Sequence, residues 1–167
     1  AQEEGGGLLV LVQPDLVTLS YLSPQISPAG ALRTGGQVEA GPDCGDLAHG
    51  AGVLELPTAE DGIRGAASLY RVGDAGSSCF STEEGALVAE HDGVLVLGSA
   101  DLLTNDGVGR ADNSALVLGS LGADGELSWY VPSATDPMSS TSQTLLGYLP
   151  DWAGPLLLWL LLVAAVA

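Results

Sequence analysis

A run of four apolar residues, Val94-Leu95-Val96-Leu97, sits between the turn signal Asp92-Gly93 and a string of small residues, Gly98-Ser99-Ala100-Asp101. Asp-Gly tolerates the positive φ angles of a tight turn. Four apolar residues without alternation suit a strand covered on both faces, as in an α/β sheet. A loop follows over residues 102–107. A helix is predicted over residues 112–121, with Asp112 near its start and Gly122 just past its end. Ala115, Leu116, Val117 and Leu121 give that helix an apolar face. Residues 127–131 (LSWYV) read as a further strand. Strand, loop, helix and strand in that order make a βαβ unit with a right-handed crossover.

The remainder of the chain fits around this block. Residues 8–12 (LLVLV) end at Pro14-Asp15 and predict a second buried strand closed by a turn. Residues 18–22 can make a turn or two of helix before Pro24 and Pro28 stop it. Residues 34–85 are rich in glycine and irregular. Strands are predicted there and just beyond, at 52–56, 68–72 and 86–90, with turns at Asp61-Gly62 and over residues 73–76. Residues 132–143 are a Ser-, Thr- and Pro-rich linker. Residues 156–167 then form an unbroken apolar run. As a helix, 155–167 would span about 20 Å, against a hydrocarbon core of roughly 30 Å. A buried core helix is the alternative, but the run has no polar face. Tyr148 and Trp152 suit a membrane interface, and Pro155 suits a first helical turn. The expected organisation is an α/β domain over 1–131, a linker over 132–147, and the start of a truncated transmembrane helix over 148–167.

Charge narrows the classes of partner. The chain has 21 acidic residues and only four basic ones, Arg33, Arg64, Arg71 and Arg110, for a net charge of −17. Such a surface repels phosphate backbones, so nucleic-acid binding is excluded. Gly5-Gly6-Gly7 and Gly35-Gly36 match neither a dinucleotide fingerprint nor a phosphate-binding loop, so no nucleotide and no cofactor is expected. At 46% hydrophobic residues the chain can bury a core. A domain with so few basic residues makes a poor cytoplasmic flank, which places it outside the membrane with the span running inward. Cys44 and Cys79 are the only cysteines and lack metal-site spacing. They form a disulfide in an oxidising compartment, or else they are two unrelated buried thiols; the apolar C-terminal run favours the disulfide.

The candidate site lies after the carboxyl end of the 94–97 strand, where open α/β sheets place ligands. Asp101, Thr104, Asn105, Asp106 and Asp112 gather there. They read as a site for a cation or a partner's peptide. The structural alternative, which is preferred, has Asp101 and Asn105 holding loop N–H groups and Asp112 capping the helix. The run lacks the ligand spacing of a calcium loop. A hydrolase would need a nucleophile with a histidine base. Ser99 is not in a G-x-S-x-G setting, His91 precedes the same strand at its opposite end, and His49 lies in a glycine-rich loop. No catalytic residue and no metal site is therefore expected.

Residues 94–121 resemble the signature of the domain of unknown function 4350 family, actinobacterial membrane proteins. The family pattern is a strand, then G-[SD]-[AG]-D-[FL]-L-T-N, matched by Gly98, Ser99, Asp101, Leu102, Leu103, Thr104 and Asn105. A D-N-x-x-L-A-L helix follows, matched by Asp112, Asn113 and Leu116. The resemblance extends to W-Y-V-P at Trp129 to Pro132, and to L-P-x-W-x-G-P at Leu149, Pro150, Trp152, Gly154 and Pro155. Residues 9–15 (LVLVQPD) and the two cysteines also fit. The resemblance implies a three-layer, flavodoxin-like or glutamine-amidotransferase-like extracytoplasmic domain, here incomplete at its N-terminus. It implies no reaction, because the family has no established activity. The expected function is a non-enzymatic, membrane-anchored module whose partner is another membrane or extracytoplasmic protein. The alternatives are a degenerate amidotransferase-like hydrolase and an acidic cation-binding domain.

Overall fold

The computed structural model describes residues 7–33, 35–57, 67–122 and 125–131. The chain divides into two units, residues 1–127 and 128–167. The linker expected over 132–147, the transmembrane start over 148–167 with Tyr148, Trp152 and Pro155, and the Asp61-Gly62 turn all lie outside the described residues. Among those described, no helix is long and apolar enough to cross a membrane.

The fold is mixed α/β and dominated by a sheet. In chain order the elements are β1 (Leu9–Val12), α1 (Leu16–Leu22), β2 (Ile26–Leu32), β3 (Gly36–Glu39), a 3-10 turn (Gly45–Ala48), β4 (Val53–Leu56), β5 (Ala67–Val72), β6 (Ser77–Ser81), β7 (Ala86–His91), β8 (Val94–Leu97), a second 3-10 turn (Ala100–Leu103) and α2 (Asn113–Gly122). The main sheet runs β1-β8-β7-β5-β2, with β6 also on β7. Only β1 and β8 pair in parallel, Leu9 opposite Val94 through Val12 opposite Leu97. β3 and β4 form a separate antiparallel pair.

Local chemistry explains the centre of this sheet. Asp92 and Gly93 take φ values of 50° and 75°. Positive φ at both central residues gives the two-residue hairpin turn that sets His91 opposite Val94. Alternation then divides the apolar residues between two faces. Leu95 and Leu97 enter the larger core with Leu54, Leu56, Phe80, Leu102, Leu116 and both cysteines. Val96 enters the smaller one with Leu19, Ile26, Tyr70 and Ala89. The disulfide between Cys44 and Cys79 forms as expected, with Cα atoms 4.7 Å apart and a sequence separation of 35. It ties the first 3-10 turn to β6 inside the larger core.

Several expectations are corrected. Residues 127–131 form no strand, and Trp129, Tyr130 and Val131 are 58%, 70% and 68% exposed. Their β-propensity is high, but propensity alone does not make a strand. The parallel partner of β8 is β1, which precedes it in the chain, so α2 is not a crossover between parallel strands. The 8–12 run is half-buried: Val10 packs on the larger core and Leu11 on the smaller one, while Leu9 is 43% exposed. β2 forms across Pro28, where helix-stopping was anticipated. It lies at the sheet edge, with a register shift between Pro28 and Gly30, and edges and bulges tolerate proline.

Candidate functional site

The carboxyl ends of the parallel pair bring two loops together. Gln13, at a φ of 46°, donates its N–H to Leu97 O at 2.8 Å. Its side-chain Oε1 accepts from Ala100 N at 3.2 Å. The next residue, Pro14, accepts at its carbonyl from the Tyr70 hydroxyl at 3.0 Å. Burial pushes the Tyr70 phenol above its ordinary value. Asp15 opens α1: its Oδ1 accepts from Thr18 N at 2.7 Å. That bond holds its carboxyl below the ordinary range.

On the β8 side, Ser99 is buried and its Oγ accepts from Asp101 N at 3.2 Å. Thr104 closes the following turn, its Oγ1 donating to Asp101 O at 2.8 Å and accepting from Gly107 N at 3.0 Å. Position 107 must be glycine, because a Cβ there would run into the Asp101 carbonyl. Arg110 reaches back to Asp106 Oδ2 at 2.7 Å and lies 3.6 Å from Glu55 Oε1. The Asp106 hydrogen bond and charge, with Glu55 and Asp101 behind them, raise the guanidinium above its ordinary value.

The loop then turns at Ala111, with a φ of 39°, and delivers two side chains to β4. Asp112 Oδ2 accepts from Gly52 N at 2.9 Å and Val53 N at 3.1 Å. Asp112 N donates to Val53 O at 3.1 Å. Asn113, fully buried, accepts from Glu55 N at 3.0 Å and donates to Glu55 O at 2.8 Å. Its second amide hydrogen goes to Gly107 O at 2.7 Å. β4 therefore has a strand, β3, on one edge and two side chains standing in for a strand on the other.

The anticipated residues divide accordingly. Thr104, Asp112 and Asn113 hold backbone groups. Asp112's carboxylate serves β4 and not its own helix, whose first N–H bonds go to its carbonyl instead. Asp101 acts through its backbone carbonyl, which takes both Thr104 N and Thr104 Oγ1. Asn105 is exposed, and its side chain makes no hydrogen bond among the described residues. The loop N–H groups assigned to Asp101 and Asn105 are held by Ser99 and Thr104, whose short hydroxyls reach them locally. His91 Nδ1 lies 3.3 Å from Asp92 Oδ2, at the far end of β8 from Ser99. His49 packs over Gly119 of α2. Among the described residues no group of three His, Cys, Asp or Glu side chains is placed to hold a metal. The clasp on β4 and the roles of Gln13 and Tyr70 carry no signal in the local sequence, since each joins distant segments.

Comparison with known proteins gives a family and no activity. The chain is 32% identical over 151 residues to an uncharacterized membrane protein, Rv3691, of Mycobacterium tuberculosis. The match covers 87% of this chain and 36% of that protein, so the chain spans about a third of the relative's length. No solved structure matches the chain. The family model for a domain of unknown function, DUF4350, matches residues 3–121, taking in β1, both cysteines, the loop after β8 and nearly all of α2. The chain belongs to the DUF4350 family.

Proposed function

We propose that this chain is a non-enzymatic, membrane-anchored interaction module working outside the cytoplasm, with another membrane or extracytoplasmic protein as its partner. One observation carries the non-enzymatic part. At the carboxyl end of β8 the side chains of Ser99, Thr104, Asp112 and Asn113 are all bonded to backbone. Asn113 has both amide hydrogens and its oxygen engaged, and Asp112 holds two N–H groups with one carboxylate oxygen. Groups fixed in this way order a loop and are poorly available to a substrate. Ser99 Oγ accepts from Asp101 N, and no base among the described residues is bonded to it.

Location rests on other observations. The buried Cys44–Cys79 disulfide suits an oxidising compartment. The relative's name describes a membrane protein. In this reading residues 148–167 begin an outward-to-inward span after the 132–147 linker, with Tyr148, Trp152 and Pro155 at the interface. The parallel β1–β8 pair, each strand followed by a helical segment, supports a three-layer, flavodoxin-like or amidotransferase-like ancestry for the domain.

Two measurements test the proposal. A Ser140→Cys variant should react with a membrane-impermeant thiol reagent in intact cells; reaction only after lysis reverses the orientation. A fluorophosphonate probe should leave Ser99 unlabelled; labelling abolished by Ser99→Ala would make the chain a hydrolase.

A further inference from the structure

Phe80 breaks the alternation of β6. Neighbouring residues of a strand point to opposite faces. Cys79 and Phe80 nevertheless lie together in the larger core, 1% and 0% exposed. They can do so because Phe80 takes a φ of 54°. A bulky L-residue adopts such left-handed backbone only where its surroundings impose it. The other described non-glycine residues with positive φ, Gln13, His49, Ala75, Asp92 and Ala111, are all exposed and lie outside the strands. Phe80 is buried and inside a strand.

Anchors on both sides hold that backbone. On one side Cys79 pairs with Val88 and is bonded to Cys44, at the start of the first 3-10 turn. On the other, Ser81 pairs with Ala86, and Thr82 N donates to Gly85 O at 2.7 Å in the turn to β7. Of these anchors the disulfide is the one that redox chemistry can open and close. With extended backbone at position 80, the ring would point to the face of Ser78, which lies opposite Ala89 and is half-buried. We infer that the Cys44–Cys79 bond latches Phe80 into the larger core, as a redox-sensitive switch in the β6–β7 hairpin. A dithiol opens it. One thiolate attacks Sγ of Cys44, the more exposed of the two, and the Sγ–Sγ bond breaks. Cys79 leaves as a thiolate and takes up the proton that the dithiol gave up. The second sulfur of the dithiol then displaces Cys44, so the dithiol is oxidised to its own disulfide and both cysteines are reduced to thiols. Without its anchor, Phe80 returns to extended backbone and its ring leaves the larger core. The inference goes beyond the proposed function and needs neither the membrane placement nor the absence of catalysis.

The test uses the full chain in mild detergent. Phe80 is the chain's single phenylalanine, so incorporated 4-fluorophenylalanine labels that position alone. The oxidised protein should give one fluorine resonance that a soluble gadolinium chelate does not broaden. The same resonance is then read in the Cys44→Ser/Cys79→Ser variant, and in dithiothreitol-treated protein whose cysteines alkylate. In both it should shift and broaden with the chelate, while far-UV circular dichroism keeps the sheet signal. A resonance still shielded from the chelate overturns the inference. So does loss of the sheet signal along with the shift, because the bond then holds the whole fold and not one side chain. Neither result alters thiol labelling in the linker or probe labelling of Ser99, so this inference and the proposed function fail separately.

Discussion

Asn113 grips Glu55 by both ends of its amide, accepting from the Glu55 N–H at 3.0 Å and donating to the Glu55 carbonyl at 2.8 Å. The two residues are separated by 58 positions. A ladder partner makes the same pair of bonds in an antiparallel sheet. The first residue of α2 thus does for β4 what a neighbouring strand would do, and it fixes the loop after β8 against the β3–β4 pair.

Asn113→Ala should be the most damaging single change in this loop. It leaves the Glu55 N–H, the Glu55 carbonyl and the Gly107 carbonyl without their partner in a buried setting. The expected loss is ~2–4 kcal/mol, from several unsatisfied groups of ~1–3 kcal/mol each that relax in part. Urea denaturation reads it directly. A midpoint equal to that of the unsubstituted protein would show that the clasp contributes nothing.

Gly107→Ala should destabilise through sterics alone. The added Cβ meets the Asp101 carbonyl, and a backbone shift of that kind costs about 1–3 kcal/mol. Thr104→Val, which keeps the shape and removes both hydroxyl bonds, should cost less, ~1 kcal/mol. Thermal melts of the two variants give the ranking, and the reverse order would contradict this account of the loop.

Reduction should loosen the larger core. Cys44 and Cys79 are 6% and 1% exposed, so the bond should resist mild reductant in the folded protein. Once it is opened, or replaced in a Cys44→Ser/Cys79→Ser variant, stability should fall by roughly 3–4 kcal/mol in the chain-entropy account of a loop of this length. Peptide mapping without reductant should recover the linked pair. Free alkylation of both thiols in protein from an oxidising compartment would contradict it.

Alkaline pH should act through Tyr70. Burial raises its phenol above the ordinary value of 10.0, so the folded state favours the neutral form. The resulting stability is fully present below pH 10.0 and is lost as pH rises through the higher folded value. The chain contains no lysine, so no lysine ammonium titrates in this window. Tyr70→Phe should therefore be less stable at neutral pH, through loss of the bond to Pro14 O, yet show a flatter decline between pH 10 and 12. Parallel slopes for the two proteins would assign the alkaline loss to other groups.

What could be read from the sequence was local. The β8 run, the Asp92-Gly93 turn, the LLVLV strand, the helix after Asp112 and the paired cysteines all announce themselves within a few residues. β2 was hidden by Pro28, because a proline reads as a stop unless the strand is known to lie at an edge. β6, Ser77–Ser81, has too little apolar periodicity to stand out beside its glycine-rich flanks. Residues 127–131 show the opposite error, strong β-propensity in a segment that forms no strand. The loop after β8 was located correctly, yet the structural work expected of Asp101 and Asn105 side chains falls to Ser99, Thr104, Asp112 and Asn113. Two of those four anchors, Asp112 and Asn113, could not be weighed properly, because the groups they hold on β4 are set by tertiary packing.

The pairing of Leu9 with Val94 also constrains how the molecule is made. β1 leaves the ribosome well before β8 and cannot dock beside it until β8 has emerged. Through that interval a wholly apolar strand lacks its partner β8, and short runs of high β-propensity without charge are prone to wrong pairing. Closure of such a distant parallel pair is also slow compared with the β7–β8 hairpin. On this account the β7–β8 hairpin forms before β1 docks on it.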